Sequence, residues 1–353
     1  MATRTAVEGA TGRAITPWWI RYTRWTQSSQ EEGIHAERAL LDLNGRNSIV
    51  QDDIKLPCGK KDRFIHTLTG GAVGKPVLVC TAGYGAGAGF WWKNYSFMTD
   101  HFRVHSVDML GCGLSGRPDF TAKTTREAEA FFVESLEEWR QVMGLDKMIL
   151  MGHSMGGYLM ANYAMAYPER VQHLVMVGPA AVGRPPPPRK DVPLVLKFFR
   201  GLWDLGLTPG MVTRALGPVG PKIIEGYTSR RFVMDAGETF TAEQQGVFTE
   251  YFYAIMAQKG SGEHCLNKIL GPGAFARDPL VDRIPAQLPK GVPVSFIYGS
   301  NDWMKPSHGQ DVVAALPKGQ GDIRVIDEAG HYVFMDQPQE FETALKEALK
   351  RYL

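Results

Sequence analysis

The sequence predicts an α/β fold in which a mostly parallel sheet carries helices on both faces. From residue 76 onward, short apolar segments typical of buried strands alternate with segments of helical periodicity. One helical segment, 126–143, has apolar side chains on one face and charged side chains on the other. The chain of 353 residues is also long enough to bury a substantial core, in one elaborated domain or two smaller ones.

Each element of this fold is predicted from its local pattern. Two β-type segments come first, and we expect them to form an antiparallel edge of the sheet. Continuous apolar runs predict buried strands, and the amphipathic helix is expected to cover one face of the sheet. The predicted segments are, in chain order, β-type segments 48–56 and 62–68, strand 76–80, a helix near 91–100, strand 102–107, helix 126–143, strands 148–151, 174–177, 292–298 and 323–326, and a final helix over 340–352.

Ser154 lies in the most informative motif of the chain, Gly152-His153-Ser154-Met155-Gly156-Gly157, which joins a buried strand to a helix-prone segment. In this context G-x-S-x-G is a nucleophile elbow, whose strained backbone tolerates only small neighbours. The turn exposes the serine hydroxyl and places the Met155 N–H at a helix N-terminus, where it can stabilise an oxyanion. We predict that Ser154 is a nucleophile rather than a structural serine.

Two residues further along the chain are predicted to activate this serine. A serine nucleophile needs a base, and the base needs a carboxylate to orient it. Asp302 follows the predicted strand 292–298, and His331 follows the predicted strand 323–326. Alone, Asp302 is compatible with a turn residue and His331 with a loop histidine. Together, in the required order and at strand ends, they predict the triad Ser154, Asp302 and His331.

A glycine-rich loop, 81–89, follows the predicted strand 76–80. The second amide of an oxyanion hole comes from such a loop, so we predict that the Tyr84 N–H is this donor. The alternative is a phosphate-cradling loop, but no Lys-Ser/Thr pair follows it, and no acidic residue stands at the distance typical of a dinucleotide site. The further residues expected to contact substrate are Gly83, Gly85, Trp91, His153, Phe199 and Trp203.

The composition excludes several classes of function. The net charge of +2 gives no basic footprint, so no nucleic-acid partner is expected. The four cysteines are widely spaced, which fits a reducing compartment and matches neither a disulfide framework nor a metal site. His101 and His105 stand four apart but straddle a predicted helix end and strand start. No metal ion is therefore expected.

Residues 1–45 are predicted to form an N-terminal arm and helix. Residues 1–16 lack the apolar segment of a secretory signal. The excess of arginine suits a mitochondrial transit peptide, whereas the aromatic and basic cluster 17–25 suits a membrane or lipid-droplet surface. A third alternative is an arm that packs on its own domain. We expect a cytoplasmic protein, peripheral on a membrane or lipid droplet, with a mitochondrial location as the alternative and no oligomeric state predicted.

The strand–helix alternation stops at a four-proline run, 185–188, which is too rigid and donor-poor for a helix or a central strand. It opens an insertion, 183–288, between the core segments 46–182 and 289–353. Its position predicts a helical cap over the site, and the alternative is a helical subdomain without a role in substrate binding. Three basic residues of the insertion could meet a phosphate head group or form a solvated rim; these are Arg189, Lys190 and Arg200.

The chain resembles the α/β-hydrolase superfamily over about 54–353. The segment 108–118, Asp-Met-Leu-Gly-Cys-Gly-Leu-Ser-Gly-Arg-Pro, is similar to that superfamily's D-x-x-G-x-G-x-S-x-R-P loop. The segments 134–140, 144–150 and 330–338 resemble the branch that contains N-acyl-phosphatidylethanolamine lipase, the lipid-droplet lipase co-activator, lysophosphatidate acyltransferases and cardiolipin deacylases. The resemblance implies an α/β-hydrolase fold with a helical cap insertion.

Three positions decide what the resemblance implies for this chain. Ser154 stands where the co-activator has asparagine, which favours an enzyme. Ala82 stands where the branch's oxyanion loop has histidine, so the support of that side chain is lost. His331 and Asp336 match the H-x4-D pattern that the branch associates with acyl transfer. Asp336, followed by Gln337-Pro338-Gln339, is also predicted as the N-cap of the final helix, and we favour that interpretation.

The residues and the resemblance together predict a serine-dependent lipid acyl-ester hydrolase of the phospholipase or lysophospholipase type. Lysophosphatidate acyltransferase activity through an acyl-enzyme on Ser154 is its predicted extension. The expected partner is a lipid substrate, with acyl-CoA as an acyl donor for the transfer and no cofactor. Two alternatives remain: a hydrolase of a small soluble ester, and a lipid-surface scaffold that recruits a partner lipase.

Overall fold

The computed structural model describes most of the chain. The arm over 1–27 lies outside the described residues, as do Arg189, Lys190, Phe199 and Arg200 of the predicted cap. The roles predicted for them therefore stay predictions. The described residues are 28–45, 48–57, 61–185, 201, 203, 206–234, 240–271 and 275–353.

The strands are β1 (Val50–Lys55), β2 (Phe64–Gly70), β3 (Val77–Thr81), β4 (Arg103–Val107), β5 (Met148–His153), β6 (Val171–Val177), β7 (Val294–Gly299) and β8 (Gly321–Ile326). They form an eight-stranded sheet in the order β1-β2-β4-β3-β5-β6-β7-β8. β2 pairs antiparallel with β1 and with β4, whereas the other neighbouring strands are parallel. The predicted mostly parallel sheet with an antiparallel edge is confirmed.

The described α-helices are α1 (Gln30–Asp42), α2 (Tyr95–His101), α3 (Thr125–Val142), α4 (Met155–Ala166), α5 (Pro209–Ala215), α6 (Gly220–Ser229), α7 (Ala242–Met256), α8 (Leu266–Ile269), α9 (Leu280–Gln287), α10 (Pro306–Ala315), α11 (Val333–Asp336) and α12 (Pro338–Leu349). A π-helical turn, Arg230–Met234, follows α6. Among the described residues, no helix is long and apolar enough to cross a membrane.

Both faces of the sheet are covered, as the apolar strands predict. All six residues of β5 are buried. Ile149 and Met151 belong to one hydrophobic core, which includes Phe341 of α12, whereas Leu150 belongs to a second core, which includes Phe132 of α3. Alternate residues of a strand point to opposite faces, so each face of the sheet packs against helices.

The amphipathic pattern places α3 within one residue of its predicted ends. A capping box starts the helix, because Thr124 accepts the Glu127 N–H and Glu127 accepts the Thr124 N–H. The helix contacts the sheet through Trp139, whose indole N–H donates to Thr67 of β2 at 3.0 Å. A long surface helix is therefore anchored on the antiparallel edge.

The insertion after β6 contributes α5 to α9, and α7 packs against the N-terminal helix α1. Ser28 donates its backbone N–H to Ala257 at the end of α7 (3.2 Å), and Gln258 donates to the carbonyl of Ser29 (3.0 Å). A capping box formed by Ser29 and Glu32 starts α1 at this contact. The N-terminal helix thus holds one end of α7.

Candidate active site

Ser154 lies between the last residue of β5 and the first residue of α4, as the motif predicts. Its φ of 53° and ψ of −121° are a strained conformation for a residue with a side chain. The backbone holds this turn, because the Ser154 N–H donates to Val177 (2.9 Å) and its carbonyl accepts the Ala180 N–H (3.1 Å). The side chain makes no cap hydrogen bond to α4, so the hydroxyl is not committed to the helix.

Contact distances explain the glycines around this serine. A Cβ on Gly152 would collide with the carbonyl oxygen of Gly156, and a Cβ on Gly156 would lie 2.5 Å from the carbonyl oxygen of Ala82. Gly83 approaches from the other side, where a Cβ would lie 2.8 Å from Ser154 Cβ. The motif glycines let β5, α4 and the glycine-rich loop converge on the serine.

Asp302 and His331 are in contact. His331 Nδ1 lies 2.9 Å from Asp302 Oδ1, and the same oxygen accepts the Met304 N–H at 2.8 Å. The Asp302 side chain is 1% exposed and that of His331 is 11% exposed. Because a carboxylate accepts hydrogen bonds, Nδ1 carries the proton and Nε2 is left as the basic nitrogen.

Gly178 lets the chain after β6 pass directly beside this pair. Its φ is 46°, and a Cβ at this position would lie 2.7 Å from Asp302 Oδ2 and 3.4 Å from His331 Nδ1. Asp302 Oδ2 is buried and has no hydrogen-bond partner among the described residues. A side chain at position 178 would therefore press on the acid that orients the histidine.

His153 supports the loop that carries His331. Its Nε2 lies 2.9 Å from the His331 carbonyl oxygen, and the two ring centroids are 4.6 Å apart. Burial holds the pKa of His153 well below its usual value, and the neighbouring His331 adds to this effect. His153 is therefore neutral, with Nε2 as the donor. His153 lines the cavity, as expected of a substrate contact. The one hydrogen bond that its side chain makes to the described residues, however, holds the backbone at His331.

Tyr84 and Met155, the predicted oxyanion donors, flank the serine. Met155 is the first residue of α4, so its N–H has no acceptor within the helix. Tyr84 lies in a turn closed by a hydrogen bond from the Ala86 N–H to the Gly83 carbonyl oxygen (3.2 Å). The two amides come from different elements that the glycines bring together. Their role as oxyanion donors stays a prediction.

Asp108 fixes the far end of the glycine-rich loop. Its buried carboxylate accepts the N–H groups of Ala88 and Leu114, each at 2.7 Å. Burial raises the pKa of Asp108 to about 6. The loop that starts at Asp108, one basis of the resemblance, thus supports the loop that carries Tyr84 and does not reach the cavity itself.

A cavity of about 820 Å³ contains these groups. Its volume falls within the roughly 300–1,000 Å³ typical of small-molecule sites. One wall comes from the sheet side and includes Gly83, Tyr84, Ser154, Met155 and His331, and the insertion forms the other with Trp203, Pro209, Tyr227, Arg231, Leu266 and Leu270. Among the described residues, no group of three or more His, Cys, Asp or Glu side chains could hold a metal ion.

Two predicted substrate contacts are corrected by the structure. Trp91 is fully buried in the core and does not line the cavity, because its ring packs against Phe334 at 4.1 Å between centroids. Gly85 faces away from the cavity, and a Cβ there would lie 3.0 Å from Met256 Sδ of α7. Of the other predicted contacts, Gly83 and Trp203 line the cavity.

The prediction that Asp336 caps the final helix is wrong. α12 has Gln337 as its N-cap, without a side-chain cap hydrogen bond. Asp336 ends α11, and its side chain is 1% exposed. The carboxylate accepts the Gly330 N–H at 2.8 Å and pairs with Arg231 of the cap at 2.9 Å. The half-buried arginine is a stronger partner for this carboxylate than a solvent-facing helix end.

Sequence reasoning missed several lining residues. Trp303 directly follows Asp302, and its ring lies 5.2 Å from that of His331, so its adjacency to the acid was a usable signal. Tyr332 follows His331 and offers the same signal. Arg231 and Tyr227 lie in a cap segment without a recognisable motif, and only the folded chain brings them to the cavity.

Comparisons with known proteins agree with the observed fold. A family model described as the alpha/beta hydrolase fold matches residues 75–205. The chain is 38% identical to a protein of Oryza sativa subsp. japonica named probable 1-acylglycerol-3-phosphate O-acyltransferase, with 95% of this chain and 85% of that one covered. It is 34% identical to the (lyso)-N-acylphosphatidylethanolamine lipase of Mus musculus, over 76% and 78% of the two chains. The crystal structure of naproxen esterase from Bacillus subtilis matches it with a TM-score of 0.62 at 17% identity, covering 95% of this chain and 99% of that one, which shows a shared fold.

Proposed function

This chain belongs to the α/β-hydrolase family, and from its site we propose that it is a serine-dependent hydrolase of lipid acyl esters that can also transfer the acyl group to a lysophospholipid. One observation carries the proposal. Ser154, in its strained turn, lines the same cavity as His331, whose Nδ1 is held by buried Asp302 at 2.9 Å. A nucleophile, a base and an orienting acid in this arrangement are the parts that acyl transfer requires.

In the first step, His331 Nε2 removes the Ser154 hydroxyl proton as Oγ attacks the acyl carbonyl carbon. Asp302 keeps the proton of the neutral imidazole on Nδ1 and stabilises the imidazolium that forms. The negative charge moves to the carbonyl oxygen, where the N–H groups of Tyr84 and Met155 receive it. Each such donor is worth about 3 kcal/mol of transition-state stabilisation.

In the second step, the tetrahedral intermediate collapses. The bond from the acyl carbon to the alcohol oxygen breaks, and the imidazolium of His331 returns its proton to the leaving alcohol. The products at this stage are the released alcohol, which for a phospholipid substrate is the lysolipid, and an acyl ester on Ser154.

In the third step, His331 removes a proton from the acceptor, whose oxygen attacks the acyl carbon. The second tetrahedral intermediate then collapses, the bond from the acyl carbon to Ser154 Oγ breaks, and the imidazolium of His331 returns its proton to Oγ. Water as acceptor gives a fatty acid, and the hydroxyl of a lysophospholipid gives a new phospholipid. The names of the rice and mouse relatives, an acyltransferase and a lipase, correspond to these two outcomes. Acyl-CoA is the proposed acyl donor for the transfer. With this donor the bond that breaks in the second step is the thioester, and the thiol of coenzyme A leaves with the proton from His331.

The cavity supports a lipid as the acyl carrier. The insertion wall contributes Trp203, Pro209, Leu266 and Leu270, which present apolar surface to the cavity that contains the serine. Such a wall favours an acyl chain, since burial of apolar surface drives binding. The membrane or lipid-droplet surface expected for the N-terminal arm stays a prediction, because 1–27 lie outside the described residues.

The proposal is tested by replacing the nucleophile, Ser154→Ala, and incubating the purified protein with a phospholipid panel, with and without lysophosphatidate plus acyl-CoA. We expect release of fatty acid and lysolipid, or formation of acylated phosphatidate, to fall roughly 10³-fold or more in the variant. Mass spectrometry of the lipids measures both outcomes. Ser135→Ala is a matched control, because the bond that this hydroxyl makes to the described residues lies within α3, to the carbonyl oxygen of Phe132 at 2.9 Å.

Either product in the wild type, lost in Ser154→Ala and kept in Ser135→Ala, supports the proposal. A folded wild type that turns over a small soluble ester and no lipid would contradict the lipid substrate. Equal turnover by wild type and Ser154→Ala would contradict the nucleophile.

A further inference from the structure

Arg231 lies in the cap wall of the cavity, on the π-helical turn that follows α6. Among the described residues that line the cavity, it is the one arginine or lysine. Its side chain is 17% exposed, so the charge is largely removed from bulk water. A cation in a cavity of mainly apolar and aromatic walls is a specific feature that the acyl chain does not require.

The guanidinium of Arg231 is held in a fixed orientation. Its two terminal nitrogens lie 2.9 and 3.3 Å from the two carboxylate oxygens of Asp336, which is a bidentate pair. The guanidinium also lies 5.3 Å from the centre of the Tyr332 ring and 5.2 Å from that of Phe232. Although burial opposes the charge, the hydrogen bonds of Asp336 raise the pKa of Arg231, so it stays protonated.

This pair leaves donor groups of Arg231 without an acceptor among the residues that the structure describes. A guanidinium has five N–H groups, and among the described residues Asp336 is the acceptor found for them. Arg214, another half-buried arginine of the cap, is different. It pairs with Glu263 at 2.6 Å and also donates to the carbonyl oxygens of Gln258 (3.1 Å) and Met256 (3.5 Å). Arg214 is thus bound to acceptors of the protein, and it does not line the cavity.

We propose that Arg231 binds the phosphate head group of a lysolipid in this cavity and that Asp336 is the positioning residue that aims it. The inference rests on the proposed function, because it names the head group of the substrate that the serine site would use. Phosphate oxygens are strong acceptors that match the geometry of a guanidinium. The N–H groups of Arg231 that have no acceptor among the described residues supply the matching donors.

The proposal also gives Asp336 a physical role. Its Oδ2 contacts both the Arg231 guanidinium and the N–H of Gly330, which precedes His331. A phosphate bound on Arg231 is therefore tied through a single carboxylate to the loop that carries the base. In this proposal Asp336, the aspartate of the H-x4-D pattern, positions the phosphate-binding arginine and transfers no proton.

The test measures binding on an inert background, so that it does not depend on turnover. In Ser154→Ala protein, calorimetry below the critical micelle concentration compares lysophosphatidate with monoacylglycerol of the same chain, which lacks the phosphate. We expect Arg231→Gln to weaken lysophosphatidate binding roughly 10- to 100-fold and to change monoacylglycerol binding less than about twofold. Arg231→Lys keeps the positive charge but not the bidentate geometry of the guanidinium, and we expect it to weaken lysophosphatidate binding about tenfold.

Arg214→Gln is the matched control, since it removes the same group from a cap pair outside the cavity. It should lower the melting temperature without changing the preference for lysophosphatidate. Asp336→Asn should reduce that preference and raise the KM for lysophosphatidate in the active enzyme more than it lowers kcat. If Arg231→Gln does not fold, the same binding measurements are made with Arg231→Lys.

Several outcomes would overturn the proposal. Equal weakening of both ligands by the Arg231 variants would make Arg231 a structural residue, and unchanged binding of both would place the phosphate elsewhere. Binding of lysophosphatidate that is no tighter than that of monoacylglycerol in the Ser154→Ala parent would also refute it. A failure of the proposed function looks different, because the enzyme with an intact serine would then turn over no lipid while the binding preference and its loss in Arg231→Gln remained.

Discussion

Two histidines of this protein each have a carboxylate at Nδ1 but differ in what surrounds Nε2. His66 Nδ1 lies 2.8 Å from Asp53, and His331 Nδ1 lies 2.9 Å from Asp302. At the other ring nitrogen they differ. His66 Nε2 lies 2.7 Å from Glu37, whereas His331 Nε2 has no hydrogen bond to a described residue and its ring lines the cavity. The first histidine is held between two acids, whereas the second has one ring nitrogen without a hydrogen-bond partner among the described residues.

The region around His66 is a saturated ionic network. Glu37 is fully buried and accepts from Gln51 at 2.9 Å and from Tyr251 of the cap helix α7 at 2.9 Å. Burial alone would lower the pKa of His66, but Glu37 and Asp53 raise it well above its usual value. His66 is therefore a fixed cation that links α1, the antiparallel edge and the cap. A carboxylate–histidine pair marks a catalytic site only where the second nitrogen is open.

The largest effect is expected from Asp302→Asn. The amide would donate to His331 Nδ1 and hold the wrong tautomer, so kcat should fall roughly 10³- to 10⁴-fold with little change in melting temperature. Steady-state kinetics on an ester substrate measures it. Asp53→Asn makes the same change at His66 and should leave kcat within about threefold. If Asp53→Asn were as damaging as Asp302→Asn, the comparison between the two histidines would fail.

Glu37→Gln tests whether His66 is held as a cation between two carboxylates. It removes one of two carboxylates from a buried cation, and we expect the free energy of unfolding to fall by about 3 kcal/mol. A raised histidine pKa stabilises the fold fully below the unfolded value of about 6.5, and the effect is lost as the pH rises through the folded pKa. The cost of Glu37→Gln, measured by urea unfolding across pH 6 to 9 or so, should therefore shrink toward alkaline pH. A cost that grows with pH would show that His66 is neutral.

The smallest effect is expected from Tyr251→Phe. The Tyr251 hydroxyl donates to Glu37 and accepts the Gly89 N–H of the glycine-rich loop at 3.1 Å. Loss of both bonds should cost about 1–3 kcal/mol of stability, because two buried groups are left unsatisfied. Since the network is closed and outside the cavity, KM for an ester should change less than about twofold. A large change in KM would show that the network also sets the shape of the site.

Much of the fold follows from local patterns. The buried strands β5 and β7 are apolar runs, and the amphipathic α3 lies within one residue of its predicted ends. The turn at Ser154 also follows from the local sequence. A side chain at Gly152 or Gly156 would collide with the backbone, as the motif implies. Such features depend on short stretches of chain, in which periodicity and steric clashes decide the conformation.

The contacts of the site are less predictable. Trp91 lies beside the glycine-rich loop in sequence, yet its ring faces the core. Asp336 stands in the right place for a helix cap, but Arg231, 105 residues earlier in the chain, pairs with it instead. Gly178 gave no signal, although its missing side chain is what makes room for Asp302. In each case a partner distant in sequence outweighs the local preference.

The sequence by itself determined the α/β fold class, the antiparallel edge, the turn at Ser154 and the order of the serine, acid and histidine. Spacing and residue type within short segments are sufficient for these, since they depend on periodicity and on backbone strain. Only the tertiary structure decided that both ring nitrogens of His66 have carboxylate partners, whereas Nε2 of His331 has none among the described residues. It also decided that Asp336 pairs with Arg231 of the cap. Those assignments depend on which side chains the folded path brings within hydrogen-bond distance, and on which polar atoms burial leaves without a partner.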